Sequence, residues 1–141
     1  MNNQVNIPEI LQQAKTIAVV GLSANRSRPS YGVAKYMQSQ GYRIVPVNPK
    51  YSSVLNERCY ASLLDIPKFL EIDIDMVNIF RRPDAVLPLV EEAIQIGAKG
   101  VWMQEGVIHQ GAAEKAKQAG LWVVMDRCLF KDHSHYVQRP F

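Results

Sequence analysis

The sequence is short of cysteine, of aromatic residues and of long apolar runs. Its two cysteines, Cys59 and Cys128, are too few and too far apart for a disulfide scaffold, so a reducing cytoplasm is the expected compartment. No apolar stretch reaches the ~18 residues that a spanning helix needs, which argues against a membrane segment. The opening MNNQVNIPEI has neither the basic region nor the apolar core of a secretory signal. No repeat, low-complexity tract or linker-like composition divides the chain. With 141 residues, 48% hydrophobic and 21% charged, the expectation is one globular domain over 1–141.

Acid is missing from one region in particular. Residues 14–50 carry Lys15, Arg26, Arg28, Lys35, Arg43 and Lys50 and no Asp or Glu. The net charge of only +3 is too small to suggest a polynucleotide-binding surface. A local basic region on a near-neutral chain suits a small anionic ligand instead.

What the chain does have is alternation. Thr16–Val20 is a short apolar run ending at Gly21, which reads as a buried strand. Residues 31–40 have helical spacing and stop at Gly41. Further strands are expected at 43–47, 75–80, 98–103 and 121–125. Helical segments are expected at 62–67, 83–96 and 111–119. Pro88 inside the second of these requires either a later start or a kink. Strand and helix in alternation imply parallel strands with crossover helices. The fold class is therefore α/β: a doubly wound, Rossmann-like, five-stranded parallel sheet with helices on both faces and expected order 3-2-1-4-5. The reversal of direction is expected between the first and fourth strands. Ligands in such sheets bind outside the carboxyl ends of the strands, at that reversal.

Five loops lie at those ends. The first holds Gly21, Leu22, Ser23, Arg26 and Arg28. A glycine turn, a hydroxyl and a following helix start favour phosphate. The loop lacks the second and third glycines of the dinucleotide fingerprint and is not a P-loop. The second loop is Asn48-Pro49-Lys50. An NAD site wants an acid there, whereas Lys50 suits a ribose phosphate. The third is Phe80-Arg81-Arg82-Pro83, where paired guanidinium forks can hold phosphate or one can pair with Asp84 or Glu105. The fourth is Gln104-Glu105-Gly106, and the fifth is Asp126-Arg127-Cys128. Cys128 beside Arg127 is either a buried small residue or a thiol of lowered pKa. Cys128, Asp132, His133 and His135 do not have the spacing of a closed zinc site, and His109 lacks catalytic neighbours in sequence. No catalytic residue and no metal is assigned.

Taken in order, the stretches Ala18–Ser23, 47–49, 79–83, 97–99, 102–106 and 124–128 resemble those of the small stand-alone CoA-binding proteins of bacteria and archaea. The fold of that family is similar to the CoA-binding domain of the succinyl-CoA synthetase alpha subunit. The resemblance runs from about Ile10 to Tyr136. It implies coenzyme A or an acyl-CoA as ligand. By that reading Gly21, Leu22 and Ser23 approach the pyrophosphate, with Arg28 a further phosphate contact. Asn48, Pro49 and Lys50 lie near the adenosine and its 3′-phosphate. Phe80, Arg81 and Arg82 line a third side, and Gln104, Glu105 and Gly106 the pantetheine route. The synthetase's phosphorylated histidine and nucleotide site lie outside the part resembled, so its activity is not carried over. Two other readings stand beside this one: a small NAD(P)-binding oxidoreductase domain, and an acyl-transfer enzyme using Cys128. No nucleic-acid or membrane partner is expected.

Overall fold

The computed structural model describes residues 5–137. In chain order the strands are Thr16–Val20 (β1), Arg43–Val47 (β2), Ser53–Val54 (β3), Glu57–Arg58 (β4), Met76–Ile79 (β5), Gly100–Met103 (β6) and Trp122–Val124 (β7). The α-helices are Ile7–Gln13 (α1), Pro29–Ser39 (α2), Ile66–Phe69 (α3), Val86–Gln95 (α4), Gln110–Gln118 (α5) and Leu129–Tyr136 (α6). Five strands form one parallel sheet in the order β2-β1-β5-β6-β7, while β3 and β4 make a separate hairpin. Ile17 lies opposite both Ile44 of β2 and Met76 of β5, which fixes the register of the centre.

The strands read as nearly unbroken apolar runs because both faces of the sheet are covered. All five residues of β1 and all four of β5 are buried. Alternation sends successive side chains to opposite cores. Ala18, Val20, Val77 and Ile79 pack with Leu63, with Val86 and Val90 of α4, and with Ala112 and Ala116 of α5. Ile17, Val19, Met76 and Trp102 pack with Leu11 of α1, Val33 and Met37 of α2, and Leu129 of α6. Each fully buried large side chain contributes about 1.5–3 kcal/mol.

The doubly wound, Rossmann-like expectation holds, with one reassignment. The 3-2-1-4-5 type of arrangement is met when the outer place beside β2 goes to Tyr60, which bridges Val47 in parallel. The 75–80 segment does not take that outer place. It inserts between β1 and β6, so the sheet reverses between β1 and β5. There Val77 and Ile79 pair with β1 on one side and β6 on the other, and the short polar stretch before Tyr60 is left to the edge.

Helix boundaries also moved. Residues 83–85 form a 3₁₀ turn, and α4 begins at Val86. Pro88 then falls in the first turn, where a missing N–H costs nothing. The sequence reading did not anticipate α1, α6 or the hairpin. Asn6 caps α1, its side-chain oxygen accepting from the Glu9 N–H at 3.0 Å. The hairpin turns through Leu55 and Asn56, both at positive φ. Among the described residues no helix is long and apolar enough to cross a membrane.

Candidate functional site

A cleft of about 900 Å³ opens where the sheet reverses, at the carboxyl ends of β1, β2, β5 and β6. Its lining includes Gly21, Ser23, Arg28, Asn48, Pro49, Lys50, Phe80, Arg81, Arg82, Gln104, Glu105 and Gly106. Four of the five loops singled out in the sequence therefore meet in one place. Leu22 does not line the cleft, because its side chain is wholly buried in the core.

The loops are held by their own polar groups. Gly21 sits at φ +85°, and a Cβ there would run into the Phe80 carbonyl. Only glycine lets the first loop leave β1 this close to the end of β5. The Ser23 N–H donates to the Ser30 hydroxyl at 3.0 Å, which ties the loop to the start of α2. Asn48 is engaged at both ends of its amide. Its Nδ2 donates to the Leu22 carbonyl at 3.0 Å, and its Oδ1 accepts from the Lys50 N–H at 3.0 Å. It clamps the second loop to the first. At the fourth loop, Gly106 lies at φ +82° and donates its N–H to the Asp126 carboxylate at 2.8 Å. The fifth loop thus buttresses the fourth without lining the cleft.

Charge is distributed unevenly around this opening. Among the described residues no carboxylate forms an ion pair with Arg28, Lys50 or Arg81. Arg82 lies 3.6 Å from Asp84, both well exposed, so this pair holds it weakly. The α2 helix begins at the cleft with Pro29 and no side-chain cap; the Tyr31 and Gly32 N–H groups donate to the Arg28 carbonyl. Unpaired cations and an uncapped helix start together favour an anion. Glu105 is paired outward with Lys131 at 3.1 Å.

Sequence reasoning missed Tyr51, Ser62 and Glu92, which also line the cleft. The Tyr51 hydroxyl lies 3.5 Å from the Ser23 hydroxyl. That contact holds its pKa below the usual tyrosine value, and Lys50 and Arg28 nearby add to the effect. Its place right after Lys50 was the available signal. Glu92 is 3.4 Å from the Ser62 hydroxyl and reaches the cleft only because α4 packs beside residues 63–65. Nothing local in the sequence marks it.

The remaining polar residues of the C-terminal segment have other partners. Asp132 accepts a two-pronged bond from Arg127 at 2.6 and 2.8 Å. Tyr36 and His133 share a hydrogen bond of 2.8 Å between the hydroxyl and Nδ1. Cys128 is buried at the start of α6 and lies off the cleft. His109 caps α5, its Nδ1 accepting from the Ala112 N–H at 2.9 Å.

A family model described as CoA binding domain matches residues 15–134, which takes in the whole sheet and all the cleft loops. The chain belongs to the CoA-binding domain family. An uncharacterized Bacillus subtilis protein, YneT, is 39% identical over 132 residues, covering 94% of this chain and 95% of that one. An ADP-forming acetate–CoA ligase of Methanocaldococcus jannaschii is 36% identical over 130 residues. That match covers 86% of this chain but only 18% of the ligase, so the chain spans a small part of the larger enzyme. Among solved structures, a hypothetical protein from Pyrococcus horikoshii superposes with a TM-score of 0.89 at 38% identity. It covers 96% of this chain and 95% of its own. The family is thus represented both by stand-alone chains of this size and by domains within ligases.

Proposed function

We propose that this protein binds coenzyme A or an acyl-CoA in the cleft at the carboxyl ends of the strands, and does so without catalysing acyl-CoA synthesis. The observation that carries the reading is the meeting of Arg28, Lys50 and Arg81, free of carboxylate partners among the described residues, around a cleft of about 900 Å³ in a CoA-binding domain. Coenzyme A carries a pyrophosphate and a ribose 3′-phosphate, and three unpaired cations on three loops suit that charge. The nicotinamide reading is weakened by the second loop, which offers Lys50 where a ribose diol would want a carboxylate. The acyl-transfer reading is weakened by Cys128, which is buried and away from the cleft. We assign the protein to the cytoplasm on the two free, buried thiols, Cys59 and Cys128.

Thermal unfolding tests the binding reading. A ligand at 100 times its dissociation constant adds about 2.7 kcal/mol to the native state. For a domain of this size that is a rise of several degrees in Tm. CoA is expected to produce this rise and NAD to leave the transition unmoved. The reverse result would overturn the proposal. Formation of acyl-CoA from a carboxylate, CoA and ATP or GTP by the purified chain would overturn the non-catalytic part.

A further inference from the structure

Tyr51 packs partly against the core and also lines the cleft. It follows Lys50 at the end of the second loop, and its hydroxyl reaches across to the first loop, 3.5 Å from the Ser23 hydroxyl. Ser23 Oγ accepts from the Asn25 N–H at 3.0 Å and still has its own proton to give to the Tyr51 oxygen. That bond does most to lower the pKa of the phenol. Burial opposes it, while the backbone of Ala24, Lys50 and Arg28 add to the lowering. The groups around this oxygen are thus those that favour an anion: a hydroxyl donor, a backbone N–H on the turn after β1, an ammonium and a guanidinium. Among the described residues no carboxylate forms an ion pair with Lys50 or Arg28. The phosphate end of the proposed ligand needs the same groups. Ser23 has one proton to donate, so it serves the tyrosine oxygen or a phosphate oxygen, not both.

We propose that in the ligand-free protein the Tyr51 hydroxyl stands in the place of a phosphate oxygen, as a plug that must swing out before the anion can take up the Ser23–Ala24 turn. This rests on the CoA reading of the site and adds a control to it. Tyr51 is only half-buried and lies between β2 and β3, outside both. Rotation of its side chain therefore frees the oxygen without disturbing the sheet. The plug has a thermodynamic signature. Plugged chains do not bind, so the apparent affinity is the intrinsic affinity reduced by the fraction of open chains. Removing the hydroxyl then strengthens binding. A hydroxyl that touched the ligand directly would have the opposite signature, and its removal would weaken binding.

The test is calorimetric titration of CoA into the parent and into Tyr51→Phe, which keeps the ring in the core and removes only the hydroxyl. The variant is expected to bind CoA about two- to tenfold more tightly, the range that one neutral hydrogen bond covers. Surface plasmon resonance on the immobilised protein should place the gain in faster association, because the variant changes the fraction of chains that are open. Weaker binding by the variant overturns the inference and makes the hydroxyl a ligand contact. Equal affinity overturns it too, as does a gain confined to slower dissociation. A second measurement needs no variant. A nuclear Overhauser contact between the Tyr51 ring and the Ser23 side chain should be present in the free parent and lost when CoA saturates it. Persistence of that contact in the complex would overturn the plug. If the parent binds no CoA, the proposed function fails first and this inference falls with it. If the parent binds CoA and the variant binds it no more tightly, this inference fails alone.

Discussion

At the N-terminal end of the sheet, Asp75 accepts the backbone N–H groups of Lys15 and Thr16 at 2.8 and 3.0 Å and pairs with Lys99 at 3.0 Å. At the C-terminal end, Arg28, Lys50 and Arg81 face a cleft with no carboxylate paired to them among the described residues. Both ends are hollowed. The N-terminal hollow is about 550 Å³ and the C-terminal cleft about 900 Å³. Size alone does not separate a site from a surface depression. What separates them is commitment: Asp75 and Lys99 in the smaller hollow are bonded to each other, which leaves Lys117 as its one cation without an ion pair among the described residues. The cations of the larger one have partners still to find.

The largest expected effect comes from closing the C-terminal end at its tightest point. Gly21→Val places a β-branched side chain at φ +85° and against the Phe80 carbonyl. Left-handed backbone costs roughly 1–2 kcal/mol and overpacking about 1–3 kcal/mol more. Chemical denaturation should show a loss within that combined range, and CoA binding should fall with it. A variant as stable as the parent would show that the first loop is free to move.

Removing charges one end at a time sharpens the contrast. Arg28→Ala and Arg81→Ala should each weaken CoA by roughly ten- to a hundredfold while leaving Tm nearly unchanged, as lost charge-assisted contacts cost about 1.5–3 kcal/mol. Arg82→Ala should do less than Arg81→Ala, because its exposed side chain lies near Asp84. Lys99→Ala at the other end should leave CoA affinity intact. The comparison breaks if Lys99 matters for CoA as much as Arg28 does.

Asp75 provides a smaller, pH-dependent effect. Burial pushes its pKa up, but the two backbone N–H groups and Lys99 outweigh burial and hold it below the usual aspartate value. Its folded pKa is thus lower than its unfolded one. The stability it contributes is present above the unfolded value of about 3.9 and is lost as pH falls through the folded value. Asp75→Asn should therefore flatten the loss of stability below about pH 4, as read by urea denaturation at successive pH values. An unchanged acid limb would mean that Asp75 is not held by these bonds.

The smallest effect concerns Cys128, at the C-terminal end but outside the cleft. A thiol reagent should modify it slowly in the native protein and quickly after unfolding, because a reactive thiol needs exposure. Rapid acylation from acetyl-CoA in the folded protein would bring Cys128 into the site and restore the acyl-transfer reading.

Much of this was legible from local pattern. Apolar runs of four or five residues ending at Gly21, at Pro49 and before Arg81 mark buried parallel strands, and parallel strands put their ligand loops at one end. That reasoning brought Gly21, Ser23, Arg28, Lys50, Arg81 and Gln104 together without any knowledge of their contacts. It failed where partners are distant in sequence. The 75–80 strand was placed at the wrong side of β1 because strand order depends on how two cores fill, not on the pattern within one strand. Asn48 lines the cleft, but its bond to the Leu22 carbonyl, which clamps the second loop to the first, has no local signal. Tyr51 and Glu92 escaped notice because their approach to the cleft depends on how the hairpin and α4 pack.

The sequence by itself determined the class of fold, the end of the sheet that carries the loops, and the sign of charge gathered there. These follow from periodicity, glycine positions and the acid-free stretch, all of which act over a few residues. Only the tertiary structure decided which of those polar groups are still free. Gln104 shows why. Its oxygen is taken up by Leu129, on α6, and Asn78, on β5, both far from it in sequence. A side-chain amide has two different ends, and only neighbours brought in by folding can say which one is turned outward.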